Sequence, residues 1–368
     1  MRLRACTVSL LGVACILLSY GCDSRPRGAC DPEPPLGTLG TICGFTNPGD
    51  VQAVPLAGLL IVSEMCQPGR GGALATLVPP RTAPHRLWPT GDAAMDVGTG
   101  PLAGDPTCTT PPPADRFAPH GITAIQTPVR GLTHVAVIGH GAREAVELFD
   151  LVGTGTLARL TWRGCVPLPP DEVGNDLALT LSDEIVVSNF QPAITGLSGA
   201  YYALRAGLGL PTGDVIVWRN GEGWRHVPGT AAAGPNGIAV SPDGSTLFYA
   251  ETGAERVARL PLVGAAAGAS PAFARLGGYP NTLSWTTRKT ILAAVHTGAA
   301  GRLACLFARP CRSAWSIVAI DPATLATDVL LQHDGERVGA VSSVAELDGR
   351  YYFGARFDDR IGVWRPTE

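Results

Sequence analysis

A chain of 368 residues with a net charge of −3 and only 16% charged residues has no basic field for a nucleic-acid backbone, which argues against nucleic-acid binding. Hydrophobic residues make up 45% of it, enough to bury a core at so low a charge, so an intrinsically disordered chain is also excluded. With 46 Gly and 32 Pro it is rich in turns, and its length suits two ordinary domains or one large all-β domain.

In chain order, the first feature is an address. Arg2 and Arg4 precede an apolar run over residues 5–18 (ACTVSLLGVACILL), followed by Ser19-Tyr20-Gly21-Cys22. A basic start, a short apolar segment and a small residue before the cut are the layout of a bacterial secretory signal, and the run is shorter than the ~20 residues that span a bilayer. Gly21-Cys22 resembles a lipoprotein processing site, with Ser19 where the usual Leu stands and Leu18 one place early. The expectation is a signal peptide over 1–21 and lipid attachment at Cys22, which would anchor the protein in the bacterial cell envelope, facing periplasm or surface; ordinary cleavage to a free exported protein is the alternative. No other segment is long and apolar enough to cross a membrane.

Of ten cysteines, Cys6 and Cys15 fall in the signal and Cys22 is the anchor, leaving Cys30, Cys43, Cys66, Cys108, Cys165, Cys305 and Cys311. Outside the cytoplasm thiols tend to pair, and an odd number leaves one over. Cys305 and Cys311 bracket a short excursion and are the first pair to expect. None lies in a CxxC, and no Cys/His set has zinc spacing.

Residues 22–42 are rich in Pro and Gly and read as a flexible tether. Beyond them, over 43–368, short β-rich runs recur between turn residues with no sustained helical period. A similar unit starts six times: GDVQAV at Gly49, HGITAI at His120, NDLALT at Asn175, NGIAVS at Asn236, NTLSWT at Asn281 and SSVAEL at Ser342, spaced 71, 55, 61, 45 and 61 residues apart. Each continues into a second, more apolar strand (LLIVSE, HVAVIGH, EIVVSNF, TLFYAET, ILAAVHT, YYFGARF) and often a third. Ser241-Pro242-Asp243-Gly244 is a tight turn between two of them.

Multi-stranded repeats of this length predict an all-β fold, a six-bladed β-propeller, because a single blade cannot cover both its faces and the ring must close. The innermost strands then line a central channel. Residues at their equivalent starts converge near one mouth: His120, Asn175, Asn236 and Asn281.

Neutral oxygen ligands with carboxylates among them suit a hard cation such as calcium. Asn175, Asn236 and Asn281 supply amide oxygens, with Asp50 and Asp176 as neighbouring carboxylates; each Asn taken singly is also a turn residue at a strand start. His120 shares the inner position, and His140 and His296 end second strands, where a neutral imidazole can act as general base on water or serve as a hydrogen-bonded channel residue. His134 is not sent to the channel by strand alternation. No GxSxG elbow, HExxH, Walker loop or EF-hand loop occurs. Gly153-Thr-Gly155-Thr-Leu-Ala158 loosely fits a dinucleotide fingerprint, but strand-like residues follow where a helix is required.

The segment from about Asn47 to Pro366 resembles the six-bladed propeller superfamily of gluconolactonases, senescence marker protein, paraoxonases and strictosidine-synthase-like proteins. The matches are FAPHGI at 117–122 followed by GHGAREAVELFDL, then GNDLAL, GPNGIAVSPDGSTLFYAET, PNTLSW, ILAAVHTG and GRYYFGARFDDRIGVW. The resemblance implies that His120 and His140 are the histidine pair associated with hydrolysis, and that His296 and Thr282 line the pocket. It also implies that Asn175, Asn236 and Asn281 sit in a catalytic-type calcium site, and that Asp50, Asp176 and the Ile122 carbonyl form a structural-type calcium site. The chain departs from the pattern at two places: Gly49 stands where the family has Glu, and Asn281-Thr282 where it has Asp-Asn. Ligand charge tunes calcium affinity, so both losses weaken the catalytic-type site. Glu64 or Glu251 filling in from a neighbouring strand, weak metal binding, and loss of catalysis are the three outcomes open.

The expected function is hydrolysis of a lactone or ester in the channel. The alternative is a non-catalytic propeller that binds a small molecule or an envelope partner. A strictosidine-synthase-like condensation is a third reading, disfavoured because no carboxylate for the amine stands at the matched positions.

Overall fold

The computed structural model describes residues 28–65, 71–81, 83–89, 104–127, 129, 131–193, 198–262, 270–298 and 311–367. The expected signal peptide, the expected lipid-attachment residue Cys22, and Cys66 and Cys305 lie outside them. Among the described residues no helix is long and apolar enough to cross a membrane.

The chain begins with β1 (Leu39–Cys43) and then forms six four-stranded antiparallel blades. Blade one is β2 (Pro48–Val54), β3 (Leu59–Glu64), β4 (Ala73–Leu77) and β5 (His85–Trp88). Blade two is β6 (Phe117–Gln126), β7 (Leu132–Gly141), β8 (Ala145–Val152) and β9 (Arg159–Pro167). Blade three is β10 (Glu172–Leu179), β11 (Ile185–Pro192), β12 (Asp214–Arg219) and β13 (Gly223–His226), with helix α1 (Ser198–Gly207) between its second and third strands. Blade four is β14 (Pro235–Val240), β15 (Thr246–Glu251), β16 (Arg256–Pro261) and β17 (Ala272–Arg275). Blade five is β18 (Tyr279–Trp285), β19 (Ile291–His296), β20 (Trp315–Ile320) and β21 (Thr327–His333). Blade six is β22 (Val341–Leu347), β23 (Arg350–Ala355), β24 (Arg360–Trp364) and, as its outermost strand, β1.

All six sequence units therefore start on the first strand of a blade. Ring closure is where the structure departs from the sequence reading: Leu39–Cys43 pairs antiparallel with β24 from Leu39↔Trp364 to Cys43↔Arg360. Residues placed in the tether are thus part of the ring, and the Cys30–Cys43 disulfide ties the segment before the strand to the strand's end. The reason is an edge: without a chain from the other terminus, β24 would present unpaired backbone groups. A second disulfide joins Cys108 to Cys165 of β9, and Cys311 is also disulfide-bonded.

The core consists of apolar layers between successive blades. Blades one and two bury Leu59, Ile61, Trp88, Phe117, Phe149 and Trp162 against each other, and blades six and one bury Val51, Leu60, Val62, Tyr352 and Ile361. Both faces of each blade are covered in this way, which explains why the strands read as near-continuous apolar runs. The 241–244 turn forms as expected, with Gly244 N–H donating to the Ser241 carbonyl (2.8 Å) at φ +74°. Asp243 Oδ1 accepts from Ser241 Oγ and from Ser245 N–H, which holds its carboxyl down at about 2. Residues 159–167, after the loose glycine motif, are strand β9 and not a helix.

Candidate functional site

Every innermost strand carries a register irregularity at its start: between Pro48 and Asp50, Pro119 and Ile122, Gly174 and Leu177, Pro235 and Ile238, Pro280 and Leu283, and Val341 and Ser343. Bulges re-aim side chains. The residues at and just after these irregularities form two successive rings. Gly49, His120, Asn175, Asn236, Asn281 and Ser342 make the first, and Asp50, Gly121, Asp176, Gly237, Thr282 and Ser343 the second.

In the first ring, His120 and His140 meet as the resemblance implies: His120 Nδ1 lies 3.2 Å from His140 Nε2. His140 Nδ1 in turn lies 2.7 Å from Glu144 Oε2, a carboxylate in the β7–β8 turn that the sequence reading did not single out. Burial, then the neighbouring His140 and Arg356, pushes His120 well below the usual imidazole range, so it is neutral at pH 7. Asn236 and Asn281 also meet: Asn236 Nδ2 donates to Asn281 Oδ1 (3.3 Å) and to Thr252 Oγ1 (3.2 Å). Asn236 Oδ1 is buried and has no hydrogen-bond partner among the described residues. Such an orphaned acceptor marks a place for an incoming donor. Asn175 is half-buried at the equivalent position of blade three. His296 ends β19 opposite Tyr279, at the mouth end of blade five. His134 is held outside the channel by Asp150 Oδ1 at 2.7 Å.

Among the described residues the mouth does not supply a calcium shell. Glu64 is bound by the Arg86 guanidinium, whose Nη2 donates to Oε1 at 2.7 Å, and Thr46 N–H donates to the same oxygen. Glu251 is held bidentate by Arg256 (3.1 and 3.0 Å), its cross-strand partner in the β15–β16 hairpin. Neither carboxylate replaces the two that the family pattern has and this chain lacks. At Gly49 the space is taken, since a Cβ there would lie 2.4 Å from Met65 Sδ. Three amides without an anion do not fit calcium.

The second ring is different. Asp50 Oδ1 accepts from Val51 N–H (2.8 Å) and Oδ2 from Ile122 N–H of the next blade (2.7 Å). Asp176 repeats the design with Leu177 N–H and, across to blade four, Ile238 N–H, both at 2.9 Å. Their own N–H groups donate to Ser63 Oγ and Ser188 Oγ. Gly121 and Gly237 stand between them because the blades approach too closely for a side chain: a Cβ at Gly237 would lie 2.3 Å from the Asn281 carbonyl oxygen. Desolvation pushes Asp50 up to about 6, against the opposing pull of its backbone donors and of the Ser343 hydroxyl beside it. Desolvation with the charge of Asp50 pushes Asp176 well above the carboxylate range. Thr282 Oγ1, at the same level, is buried without a hydrogen-bond partner among the described residues. Two buried, mutually repelling carboxylates with hydroxyls beside them fit a cation. Among the described residues no cluster of three His, Cys, Asp or Glu side chains exists, so such a cation would rest on two acidic ligands.

Below this ring the channel opens into a cavity of about 210 Å³ that runs from Asp50, Asp176 and Thr282 toward Trp285 and Glu346. It lies beyond the histidines and asparagines of the mouth, not among them. Sequence reasoning missed Glu144, Met65 and Arg356, which enter from turns and second-strand ends rather than from the repeated strand starts.

No protein-family model matches the chain, and no curated protein matches it. Solved structures do. A luciferin-regenerating enzyme superposes with a TM-score of 0.52 at 14% identity, covering 89% of this chain and 94% of the other. A protein provisionally described as a gluconolactonase gives 0.50 at 12% identity, covering 91% and 95%. A protein from Thermus thermophilus, provisionally described as a glucose dehydrogenase, gives 0.50 at 14% identity, covering 89% and 99%. Their names span unlike chemistries, so what they share with this chain is architecture. The protein is a six-bladed β-propeller of the kind seen in gluconolactonase-like structures.

Proposed function

We propose that the protein is an exported hydrolase of a lactone or ester, acting at the channel mouth through His120. The observation that carries this reading is the run of contacts Glu144–His140–His120, which ends on a half-buried neutral imidazole. In the step envisaged, a water oxygen forms a bond to the substrate carbonyl carbon and gives its proton to His120 Nε2. The Nδ1 proton of His120 passes to His140 Nε2, and the resulting imidazolium faces Glu144. Collapse of the tetrahedral intermediate breaks the C–O bond, and the leaving oxygen recovers the proton along the same path. Asn236 Oδ1 is suited to accept from the water or from a substrate hydroxyl, and the amide N–H groups of Asn175 and Asn281 are suited to the developing oxyanion. Calcium belongs at the second ring, where Asp50, Asp176, the Ile122 carbonyl, Thr282 and Ser343 would hold it and where it would neutralise two buried charges. Export, attachment through Cys22 and residence in the cell envelope rest on the first 22 residues.

The test is hydrolysis of a panel of lactones and aryl esters by the fragment starting at Asp23, with the fold verified with and without chelator. Turnover that disappears in His120→Gln while the protein stays folded supports the reading. A second reading, a propeller that binds a small molecule without turning it over, is favoured by Met65 filling the space beside Gly49. Absence of turnover across the panel from folded protein would establish that one.

A further inference from the structure

Deepening this reading, we propose that Glu144 is a positioning residue that fixes the tautomers of both mouth histidines, so that Nε2 of His120 is the basic atom of the site. The geometry assigns each proton in turn. An ionised carboxylate only accepts, so the 2.7 Å contact between Glu144 Oε2 and His140 Nδ1 places the hydrogen on Nδ1. In the state where both rings are neutral, the one that can take a proton from water, His140 offers a lone pair at Nε2. That nitrogen faces His120 Nδ1 at 3.2 Å, which must therefore carry its own hydrogen. In the neutral imidazole of His120 one nitrogen remains, and Nε2 is the acceptor.

The turn that carries Glu144 is built for this contact. Gly141, at φ +90°, follows His140 directly, and a Cβ there would lie 2.4 Å from the Arg116 carbonyl oxygen, so the chain reverses at a position closed to other residues. The Glu144 carbonyl accepts from Leu168 N–H (3.0 Å), which pins the backbone of the turn to the strand end of β9. The adjacent cation is turned away. Arg143 Nε and Nη2 donate to Glu147 Oε1 and Oε2 at 2.8 and 2.9 Å, and Nη2 also reaches the Thr110 carbonyl. Glu147 is buried and accepts a third bond from Trp162 Nε1 (2.8 Å). The adjacent Arg143 is thus spent on Glu147, which leaves Glu144 Oε2 to His140.

A carboxylate behind a histidine orients the ring and raises its basicity, and removing such a partner costs about ten- to a hundredfold in activity where this has been measured at metal-ligating histidines. The test has two arms. Nitrogen NMR of the imidazoles reads the tautomers directly and does not depend on any substrate. His140 in the intact protein is expected as the Nδ1–H form. Glu144→Ala is expected to shift it to the Nε2–H form, and Glu144→Gln, whose amide oxygen still accepts, is expected to retain Nδ1–H. In the kinetic arm, on a substrate found by the panel above, Glu144→Ala is expected to lower kcat about ten- to a hundredfold with KM nearly unchanged. An unaltered Nδ1–H signature of His140 in folded Glu144→Ala overturns the proposal, whether or not the protein hydrolyses anything. The tautomer shift without any turnover in the parent protein would overturn the hydrolase reading alone.

Discussion

The sulfur of Met65 stands where a side chain at Gly49 would begin, 2.4 Å from the position of its Cβ. Ser342 Oγ donates to the Gly49 carbonyl at 2.6 Å, so the backbone there is also held from blade six. At the Gly49 position a carboxylate is therefore absent for two linked reasons: the residue has no side chain, and a thioether fills the place. Restoring it requires a side chain at position 49 and displacement of the flexible Met65 side chain, which its truncation ensures. Gly49→Glu with Met65→Ala and Asn281→Asp is expected to bind calcium at the mouth about tenfold or more tightly than the parent, because ligand charge sets the affinity of such sites. Calorimetric titration in an Asp50→Asn background, which weakens the second ring, reads the mouth site; no gain in affinity would show that the ring geometry, not the charge count, is limiting.

At the second ring the pH dependence has a definite sign. Asp50 is raised to about 6 in the folded protein, so between its unfolded value near 4 and about 6 the folded state holds a proton that the unfolded state has released. In the absence of calcium, stability is then expected to fall as pH rises through that window and to level off above it. Asp176, raised by burial and by Asp50, extends the fall to higher pH. Thermal unfolding with and without calcium checks this. Calcium is expected to raise the midpoint at pH 7 and to do little at pH 4, and Asp50→Asn is expected to remove both the slope contributed by Asp50 and most of the calcium effect.

Gly237 fills a contact that no other residue can. A Cβ there would meet the Asn281 carbonyl oxygen at 2.3 Å and the Leu283 nitrogen at 2.5 Å, both backbone atoms of the next blade. Gly237→Ala is expected to cost about 1–3 kcal/mol through overpacking. Denaturant titration measures it, and a cost well below that range would mean that blades four and five can slide apart.

Ring closure depends on a strand from the other end of the chain. The Cys30–Cys43 disulfide, 13 residues apart, restricts the segment that supplies β1. Replacing both cysteines by serine is expected to lower stability by about 3 kcal/mol, the chain-entropy value for a loop of this size. Equilibrium denaturant titration reads this loss, and proteolysis near Thr38 should quicken with it. Resistance equal to the parent would show that the β1–β24 pairing holds without the bridge.

The repeat of strand starts was legible because it is local. Alternating apolar positions, turn residues and a recurring polar first residue are all properties of a few adjacent amino acids, and they locate the six blades, the channel and the ring of His120, Asn175, Asn236 and Asn281. The pairing of His120 with His140 is implied by the family resemblance and not by the repeat itself. What the tertiary structure decided are contacts between side chains whose reach no spacing rule describes. Glu64 and Glu251 read as spare carboxylates in the sequence, and folding gives each to an arginine, Arg86 on the outermost strand of blade one and Arg256 across a hairpin. Nothing in the sequence singles out Glu144, and the left-handed Gly141 brings it onto His140. Residues 39–42 read as tether because a closing strand has no repeat of its own; with Cys43 they become a strand only when β24 offers an open edge. Local pattern fixes where backbone runs, whereas the charge and hydrogen-bond balance of the channel depends on distant groups that meet only when the ring is closed.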